Sequence, residues 1–227
     1  MQVGIIGYLG KMGQELLRCI EENDDTCVYK KDQDNEILQV HPDCLLDFSI
    51  PEAIASSCKK ALVFQCPLVV GTTGLGNQHV EMLEKTSKSV PVFYSTNYSL
   101  GIHCLHTMLA SIQKQLEDWD VGIMETHHTE KKDAPSGTAL SLQKTLARNC
   151  PIQSFRLKGV PGEHQIMITN QNETIHIKHT AYSRKVFASG ALDCARWLLS
   201  HKYENGFFTM NSRFKGEQNE TNNTTNH

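Results

Sequence analysis

The sequence Val3-Gly-Ile-Ile-Gly7-Tyr-Leu-Gly10-Lys-Met-Gly13 joins a short apolar run to three regularly spaced glycines. Residues 2–6 are β-prone, and apolar residues then recur at helical spacing, so residues 13–22 are predicted to form a helix. A strand, a glycine loop and a helix are the first half of a βαβ unit. The pattern therefore indicates an α/β fold.

The same rhythm continues along the first half of the chain. Further strands are predicted at 27–31, 44–50, 68–73 and 91–94, with helices beginning at Pro51 and spanning 77–88. Proline suits the first position of a helix because its missing N–H has no partner there anyway. The alternation predicts a Rossmann-like, doubly wound parallel sheet.

After Asn97 the rhythm changes. Helical periodicity over 99–117 and 138–148 flanks a predicted strand at 120–125, and three alternating segments follow at 154–158, 164–169 and 173–180. A period of two suits a sheet with one wet face. We therefore expect an inserted α+β domain with a mixed or antiparallel sheet at 98–183, and a first domain made of 1–97 and 184–214. Residues 215–227 are too polar to fold alone and are predicted to be a disordered tail.

Composition narrows the class of protein. The chain has 227 residues and a net charge of −3, which provides no electrostatic footprint for nucleic acid or an anionic membrane. No signal peptide or membrane-length apolar run is evident. The eight scattered cysteines favour reduced thiols in a cytoplasm over disulfides or a zinc site.

The glycine loop points to a dinucleotide, although the spacing Gly7-x-x-Gly10-x-x-Gly13 departs from the usual Gly-x-Gly, and a plain turn is the alternative. A strand precedes the loop, a helix follows it, and Asp32 lies at the end of the second predicted strand. Asp32 is expected to accept hydrogen bonds from ribose hydroxyls, which favours NAD, whereas Lys11, Lys30 and Lys31 leave a 2′-phosphate open. Polar residues at two strand ends, 71–73 and 95–98, are further candidates because ligands bind at the carboxyl ends of parallel strands.

A second cluster of polar residues is Glu125-Thr-His-His-Thr-Glu-Lys-Lys-Asp-Ala-Pro-Ser-Gly-Thr-Ala139. It supports three interpretations: a metal site using His127, His128 and Asp133, a purely structural polar loop, or acid–base chemistry. Adjacent strand residues face opposite sides, which argues against the metal site. An imidazole, the Lys131 ammonium and the segment Ser136-Gly137-Thr138 before a helix favour proton transfer beside a bound carboxylate.

This segment resembles the signature of the dihydrodipicolinate reductase (4-hydroxy-tetrahydrodipicolinate reductase) family. The resemblance covers all of the chain except the tail and extends through Gly7-x-x-Gly-x-Met-Gly13, Asp47-Phe-Ser, Gly71-Thr-Thr-Gly74, Asn97-Tyr-Ser-x-Gly101, Gly159-Val-Pro-Gly162 and Ser183-Arg-x-x-Phe-Ala188. It implies a nicotinamide-dependent reductase of a cyclic imine dicarboxylate on the diaminopimelate route to lysine. It also implies that the inserted domain binds the substrate and forms a homotetramer.

The resemblance assigns roles to residues of this chain. His127 and Lys131 become the catalytic acid/base pair, and His128, Ser136, Gly137 and Thr138 bind the substrate carboxylates. No metal is implied. The resemblance also implies a binding site for NADH or NADPH, lined by Gly7, Tyr8, Leu9, Gly10, Lys11, Met12, Asp32, Gly71, Thr72, Thr73, Ser95, Thr96, Asn97 and Tyr98.

Two positions depart from the family pattern. Gly122 stands where an acid is usual, and Gln33 follows Asp32 where some members carry an arginine suited to a 2′-phosphate. The second departure favours NADH or dual use. Two other functions remain as alternatives: a reductase of another imine or keto acid on the same scaffold, and a non-enzymatic dinucleotide sensor. A nucleic-acid-binding module is the third and most distant.

Overall fold

The structure of this protein, a computed structural model, describes residues 1–200 and 204–214. The chain divides into a first unit, Met1–Tyr98 with the chain from Phe187 onwards, and a second unit, Ser99–Val186. The predicted tail at 215–227 lies outside the described residues. In the part of the chain that is described, no helix has the length and apolar character needed to cross a membrane.

The first unit is built from strands that alternate with helices. In chain order these are β1 (Gln2–Ile6), α1 (Lys11–Glu22), β2 (Thr26–Asp32), β3 (Asn35–Leu38), β4 (Cys44–Asp47), a 3₁₀ turn (Pro51–Ala53) running into α2 (Ile54–Phe64), β5 (Leu68–Val70), α3 (Asn77–Thr86) and β6 (Val92–Tyr94), with α6 (Lys185–Ser200, all but its first two residues) and β11 (Phe207–Phe208) after the second unit. The sheet order is β11-β6-β5-β4-β1-β2-β3. Every pairing among these described strands is parallel except that of β3 with β2.

Helices cover both faces of this sheet. Along β1, Ile5 packs in a cluster with α1 and α6, whereas Ile6 packs in a cluster with α2 and α3. Neighbouring strand residues point to opposite faces, so a sheet buried on both sides needs consecutive apolar residues. Each fully buried Leu or Ile stabilises the fold by about 1.5–3 kcal/mol. The predicted fold class, a doubly wound parallel sheet, is confirmed for this unit.

The chain order reverses between β1 and β4. From β1 the chain moves outward to β2, and from β4 it moves outward in the other direction to β5 and β6. Loops at the carboxyl ends of β1 and β4 therefore leave on opposite sides and open a crevice, the usual ligand position in such sheets. The glycine loop after β1 and the Asp47–Ser49 segment after β4 lie at this point.

The second unit is a mixed sheet covered by two helices. Its elements are α4 (Leu100–Ile112), β7 (Asp120–His127), α5 (Gly137–Thr145), β8 (Ile152–Arg156), β9 (Gly162–Thr169) and β10 (Thr174–Ala181), in the sheet order β10-β9-β7-β8. Only the β7–β8 pair is parallel among the pairings described. One face of the sheet packs on α4 and α5 through a core that includes Leu105, Ile123, Leu142 and Ile166. The predicted α+β unit is confirmed.

Some element bounds differ from those predicted. Strands β3 and β11 were not predicted, and the strand predicted at 44–50 ends at Asp47. The helix predicted over 99–117 ends at Ile112, because the carbonyls beyond it have other partners. The Arg148 guanidinium donates to the carbonyls of Gln113 (3.3 Å), Leu116 (3.0 Å) and Trp119 (2.8 Å). Hydrogen bonds from Arg148 thus replace the backbone hydrogen bonds that would continue the helix.

Candidate active site

The glycine loop turns tightly between β1 and α1. Gly7 has φ +84°, and its N–H donates to the Lys31 carbonyl at 2.8 Å. A Cβ on Gly13 would lie 2.2 Å from the Gly7 carbonyl oxygen, so only glycine lets α1 pack this closely on the loop. Helix α1 begins at Lys11, directly after the loop. The partial positive charge of its N-terminus therefore faces the loop, as a pyrophosphate site requires.

Asp32 lies beside the glycine loop at the end of β2. Its Oδ2 accepts a hydrogen bond from the Leu9 N–H at 3.0 Å. The Tyr8 hydroxyl accepts a hydrogen bond from the side chain of Asn35 at 2.6 Å, and Asn35 pairs with Asp32 across the β2–β3 hairpin. The hairpin and the loop therefore hold each other in place, and the Asp32 carboxylate stays at the loop.

Lys31, the residue before Asp32, forms an ion pair with Glu36. Lys31 Nζ lies 3.2 Å from Glu36 Oε2, and Lys60 binds the other oxygen of Glu36. The hydrogen bond from Lys60 lowers the pKa of Glu36; burial opposes this effect and Lys31 adds to it, so the pKa is lowered overall. Gln33 occupies the hairpin turn with φ +43° and an exposed side chain. The Lys31 ammonium, which could otherwise bind a 2′-phosphate, is therefore already paired with Glu36.

The loops after β4 and β5 are joined by a buried carboxylate. Asp47 is fully buried, and its Oδ1 accepts hydrogen bonds from the Ser49 N–H (3.0 Å), the Ser49 hydroxyl (2.5 Å) and the Thr72 hydroxyl (2.9 Å). A Cβ on Gly71 would lie 2.1 Å from the Phe48 ring. The buried Thr72 hydroxyl therefore ties the loop after β5 to Asp47, whereas the side chain of Thr73 is exposed.

The loop after β6 is held by its own hydrogen bonds. Ser95 Oγ donates to the Asn97 carbonyl at 2.7 Å, and the Asn97 N–H returns a bond of 3.2 Å to the same hydroxyl. Tyr98 is 2% exposed, and its hydroxyl donates to the Val70 carbonyl at 2.7 Å. Of these residues, Thr96 is exposed. Tyr98 therefore supports the loop from within the core, and any contact with a cofactor is left to its neighbours.

The second unit places His127 against a buried ion pair. Glu125 and His127 are two residues apart on β7, so both side chains face the same side of the sheet. His127 Nδ1 is hydrogen-bonded to Glu125 Oε2. The Arg156 guanidinium, from the neighbouring strand β8, binds both Glu125 oxygens at 2.9 Å. Glu125 is fully buried and His127 is 8% exposed.

The start of α5 lies next to this group. The Ser136 N–H donates to Glu125 Oε1 at 3.2 Å, and Ser136 Oγ accepts from the Ala139 N–H and contacts His164 Nε2, both at 3.2 Å. Ser136 is 1% exposed, so its hydroxyl is committed to capping the helix. Gly137 is exposed, and a Cβ there would meet no atom within 4 Å. The helix therefore begins near the surface, with Gly137 exposed and Thr138 half-buried, and the Gly137 N–H is hydrogen-bonded to the Asp133 carboxylate.

Lys131 lies on the loop between β7 and α5. Its N–H donates to the His128 carbonyl at 3.1 Å, and its ammonium lies 2.7 Å from Asp133 Oδ1. His128 Nδ1 is 4.0 Å from a carboxylate oxygen of Glu130. In the described part of the chain, no three His, Cys, Asp or Glu side chains are grouped as a metal site would need.

Family comparisons cover both units. Residues 1–98 match the family model for the N-terminus of dihydrodipicolinate reductase, and residues 101–213 match the model for its C-terminus. The chain belongs to the dihydrodipicolinate reductase family. The predicted resemblance is thereby confirmed, and so is the predicted class of enzyme, an NAD(P)H-dependent oxidoreductase.

Individual members of the family align over nearly the whole chain. The 4-hydroxy-tetrahydrodipicolinate reductase of Thermosipho africanus is 41% identical over 95% of this chain and 98% of its own length. That of Campylobacter lari is 32% identical over 92% of this chain and 97% of its own length. A dihydrodipicolinate reductase from Paenisporosarcina sp. TG-14, solved with dipicolinate bound, has a TM-score of 0.76 at 21% identity and covers 94% of this chain and 99% of its own. The last likeness supports the fold.

Several residues that contact the segment from Glu125 to Ala139 in this structure were not identified from the sequence. Arg156 binds Glu125, and His164 contacts Ser136. The sequence had assigned no role to Glu125 itself. A period of two places Glu125 beside His127, and the strand register pairs Glu125 with His164. No short-range pattern links Arg156 to Glu125, since they are 31 positions apart.

Burial and charge act in opposition on these groups. Burial alone would raise the pKa of Glu125, but hydrogen bonds led by that from Arg156 lower it to about 2. Burial lowers the pKa of His127; Glu125 opposes this, while Lys131 and Arg156 add to it. Burial also lowers the pKa of His164 to about 3, so this imidazole is neutral at physiological pH. An ionised Glu125 accepts hydrogen bonds only, so His127 Nδ1 must donate to it.

Proposed function

We propose that this chain reduces 4-hydroxy-tetrahydrodipicolinate to tetrahydrodipicolinate with NADH or NADPH, on the diaminopimelate route to lysine. The supporting observation is that one segment of the second unit carries an oriented imidazole, an ammonium and a helix N-terminus. His127 is held by Glu125, Lys131 follows four residues later, and α5 begins at Gly137. These groups match a reaction that protonates a reduced dicarboxylate.

The first unit supplies the dinucleotide site in this proposal. The close packing at Gly13 and the α1 N-terminus leave a backbone cradle that a Cβ would fill, which suits a pyrophosphate. Asp32 binds the adenosine ribose, and the exposed residues of the loops after β5 and β6 line the remainder. When bound, the nicotinamide supplies the hydride.

Protonation falls to the second unit. Since His127 Nδ1 donates to Glu125, Nε2 is the nitrogen that takes up and releases a proton. Lys131 holds a substrate carboxylate or delivers the proton, and Asp133 orients its ammonium from 2.7 Å. We assign the catalytic acid/base pair to His127 and Lys131.

The substrate carboxylates bind at the start of α5 in this scheme. The start of α5 lies near the surface at Gly137 and Thr138, and the partial positive charge of the helix N-terminus attracts an anion there. His128 adds an imidazole at the other side of the loop. Ser136 contributes by its backbone and by capping the helix, because its hydroxyl already contacts His164 and Ala139.

We also propose that NADH is used at least as well as NADPH. Asp32 favours two ribose hydroxyls over a 2′-phosphate, and Gln33 supplies no positive charge. Lys31 is held by Glu36. The ratio of the two oxidation rates measures this preference.

Further proposals concern assembly and location. The sheet face of the second unit that α4 and α5 leave uncovered carries Met124, Phe155 and Met167, with a groove of about 450 Å³ beside Gly122. This supports a homotetramer formed through that face, which light scattering tests. The free state of all eight cysteines supports a cytoplasmic location, and the net charge of −3 supports a small-molecule substrate without a nucleic-acid partner.

The test is synthase-dependent oxidation of the reduced cofactor. The substrate is generated from pyruvate and aspartate semialdehyde by the preceding synthase, and loss of nicotinamide absorbance is followed. Rapid oxidation that needs the synthase supports the proposal. A folded protein that binds NADH but oxidises none of it in this assay contradicts it.

A Lys131→Ala variant tests the assignment of the proton donor. We expect kcat to fall by roughly 10²–10⁴-fold, the scale of a lost general acid, with little change in thermal stability. Lys132→Ala, at the exposed neighbouring lysine, is the matched control and should retain kcat. Near-wild-type turnover of Lys131→Ala would remove Lys131 from the mechanism.

A further inference from the structure

The Arg156 guanidinium is the point where the parts of the catalytic loop meet. It binds both oxygens of Glu125 at 2.9 Å, and its Nε donates to the Lys131 carbonyl at 3.2 Å. One terminal nitrogen also donates to the Asp133 carbonyl, and the other to the Phe155 carbonyl at 2.7 Å. One side chain therefore contacts β7, β8 and both ends of the segment that carries the Lys131 ammonium.

This arrangement needs an arginine. The guanidinium is planar and presents five N–H donors in a rigid fork, so it binds a carboxylate with two bonds and still has donors for carbonyls on other sides. A lysine ammonium is a point charge that cannot span these acceptors. The carboxylate held in this way cannot rotate, and it presents Oε2 to His127 Nδ1 and Oε1 to the Ser136 N–H.

We infer that Arg156 is the positioning residue of the acid–base site: acting through Glu125, it holds His127 with Nδ1 protonated and Nε2 free to transfer a proton, and it fixes the backbone on which Lys131 stands. This inference rests on the proposed function in that His127 is the proton-transfer group. Arg156 itself is not assigned any contact with substrate or cofactor.

The charged and titratable groups that surround His127 determine the effect of removing Arg156. They are Glu125 on the same strand, Arg156 on β8, Lys131 on the loop and His164 on β9, whose ring lies 5.1 Å from that of His127. Arg156 neutralises part of the Glu125 charge and repels an imidazolium directly. Without it, the uncompensated charge of Glu125 nearby favours the imidazolium, so the pKa of His127 rises, but the carboxylate is no longer held in one orientation against Nδ1.

The test compares Arg156→Met with Arg148→Met. Arg148 also binds three backbone carbonyls of the second unit, but it lies outside the catalytic loop. Both substitutions should lower thermal stability. For Arg156→Met alone we expect kcat to fall on the order of 10–100-fold, because a misplacement of a reacting group by about 1 Å can cost about 10²-fold. We also expect the alkaline limb of its kcat profile to move to higher pH.

Nitrogen NMR of His127 provides a readout that does not depend on turnover. In the wild type, neutral His127 should carry its proton on Nδ1, with its resonances assigned by their loss in His127→Gln. In Arg156→Met both tautomers should appear, and the ring should titrate at higher pH. If Arg156→Met and Arg148→Met keep the wild-type tautomer and the same pH profile, Arg156 is a structural residue and the inference is overturned.

Two further variants keep the outcome decisive. If Arg156→Met does not fold, Arg156→Lys keeps the charge but loses the fork, and a wild-type kcat and tautomer for it would equally overturn the inference. If His127→Gln turns over substrate normally while Arg156→Met still changes the His127 tautomer, the positioning by Arg156 stands. The acid–base role of His127 in the proposed function then fails.

Discussion

At the residue scale, the most consequential feature is a buried carboxylate with three different partners. Glu125 is fully buried and binds Arg156, His127 and the Ser136 N–H. Breaking a buried ion pair by removing one partner is costly because the other charge remains uncompensated. Glu125 therefore links the stability of the second unit to the geometry of its acid–base loop.

The pH dependence of stability should reveal this carboxylate. The pKa of Glu125 falls from 4.5 to about 2 in the folded chain, so ionised Glu125 stabilises the fold by about 3 kcal/mol above pH 4.5. That contribution is lost as the pH drops from about 4.5 to about 2. We expect the difference in unfolding free energy between wild type and Glu125→Gln to be largest near neutral pH and to shrink over this window, as measured by urea denaturation.

Glu163→Gln provides the comparison for Glu125→Gln. Glu163 forms an ion pair of 2.9 Å with Lys178, but the Lys178 side chain is 52% exposed. Such surface pairs contribute about 0–1 kcal/mol, so the loss should be small throughout. Equal losses for the two variants at neutral pH would show that the buried network does not stabilise the second unit.

Asp32 offers a second prediction at this scale. Asp32→Ala should weaken NADH binding more than NADPH binding, because the carboxylate accepts ribose hydroxyls and repels a 2′-phosphate. Asp34→Ala, in the exposed turn two residues on, is the control and should leave both affinities unchanged. Fluorescence titration with each reduced cofactor measures the effect, and an equal loss for both would mean that Asp32 does not read the ribose.

At the scale of single elements, glycines set how closely α1 approaches β1. Gly7 and Gly13 lie in direct contact, and the approach leaves the helix N-terminus facing the loop. The element pattern of the first unit was largely readable, because consecutive apolar residues and glycine punctuation are local signals. Strands β3 and β11 lacked such a signal: the first is entirely exposed and the second has two residues.

Gly13→Ala tests this packing. The new Cβ would lie 2.2 Å from the Gly7 carbonyl oxygen, so α1 or the loop must shift, at a cost of about 1–3 kcal/mol. We expect a lower melting temperature and weaker NADH binding. Gly76→Ala at the start of α3, where the nearest atom would be 3.9 Å away, should change neither. Unaltered NADH affinity in Gly13→Ala would separate the glycine packing from cofactor binding.

At the scale of the whole molecule, the proposed chemistry is divided between the two units. The first has its own core and the glycine loop, and the second has a separate core and the loop with His127 and Lys131. The boundary between the two family models lies close to the boundary between the units: the first model ends at residue 98 and the second begins at residue 101. The residues to which roles are proposed above end at Tyr98 in the first unit and at Met167 in the second.

A chain that ends at Phe214 should therefore retain full activity. It keeps every residue to which a role is assigned and lacks only the polar segment 215–227. Steady-state kinetics and light scattering of the shortened and full chains make the comparison. A large fall in kcat or loss of the oligomer would show that the tail contributes.

The sequence by itself determined the α/β class, the order of most elements, the glycine loop with Asp32, and the family. These rest on local spacing: a period of two or 3.6, glycines where no side chain fits, and a continuous run from Glu125 to Ala139. The tertiary structure alone decided the partners of those residues. Arg156 on β8 binds Glu125 on β7, Arg148 binds the carbonyls that follow α4, and Glu36 forms ion pairs with both Lys31 and Lys60. Such contacts depend on strand register and burial, which bring together residues that no short pattern connects.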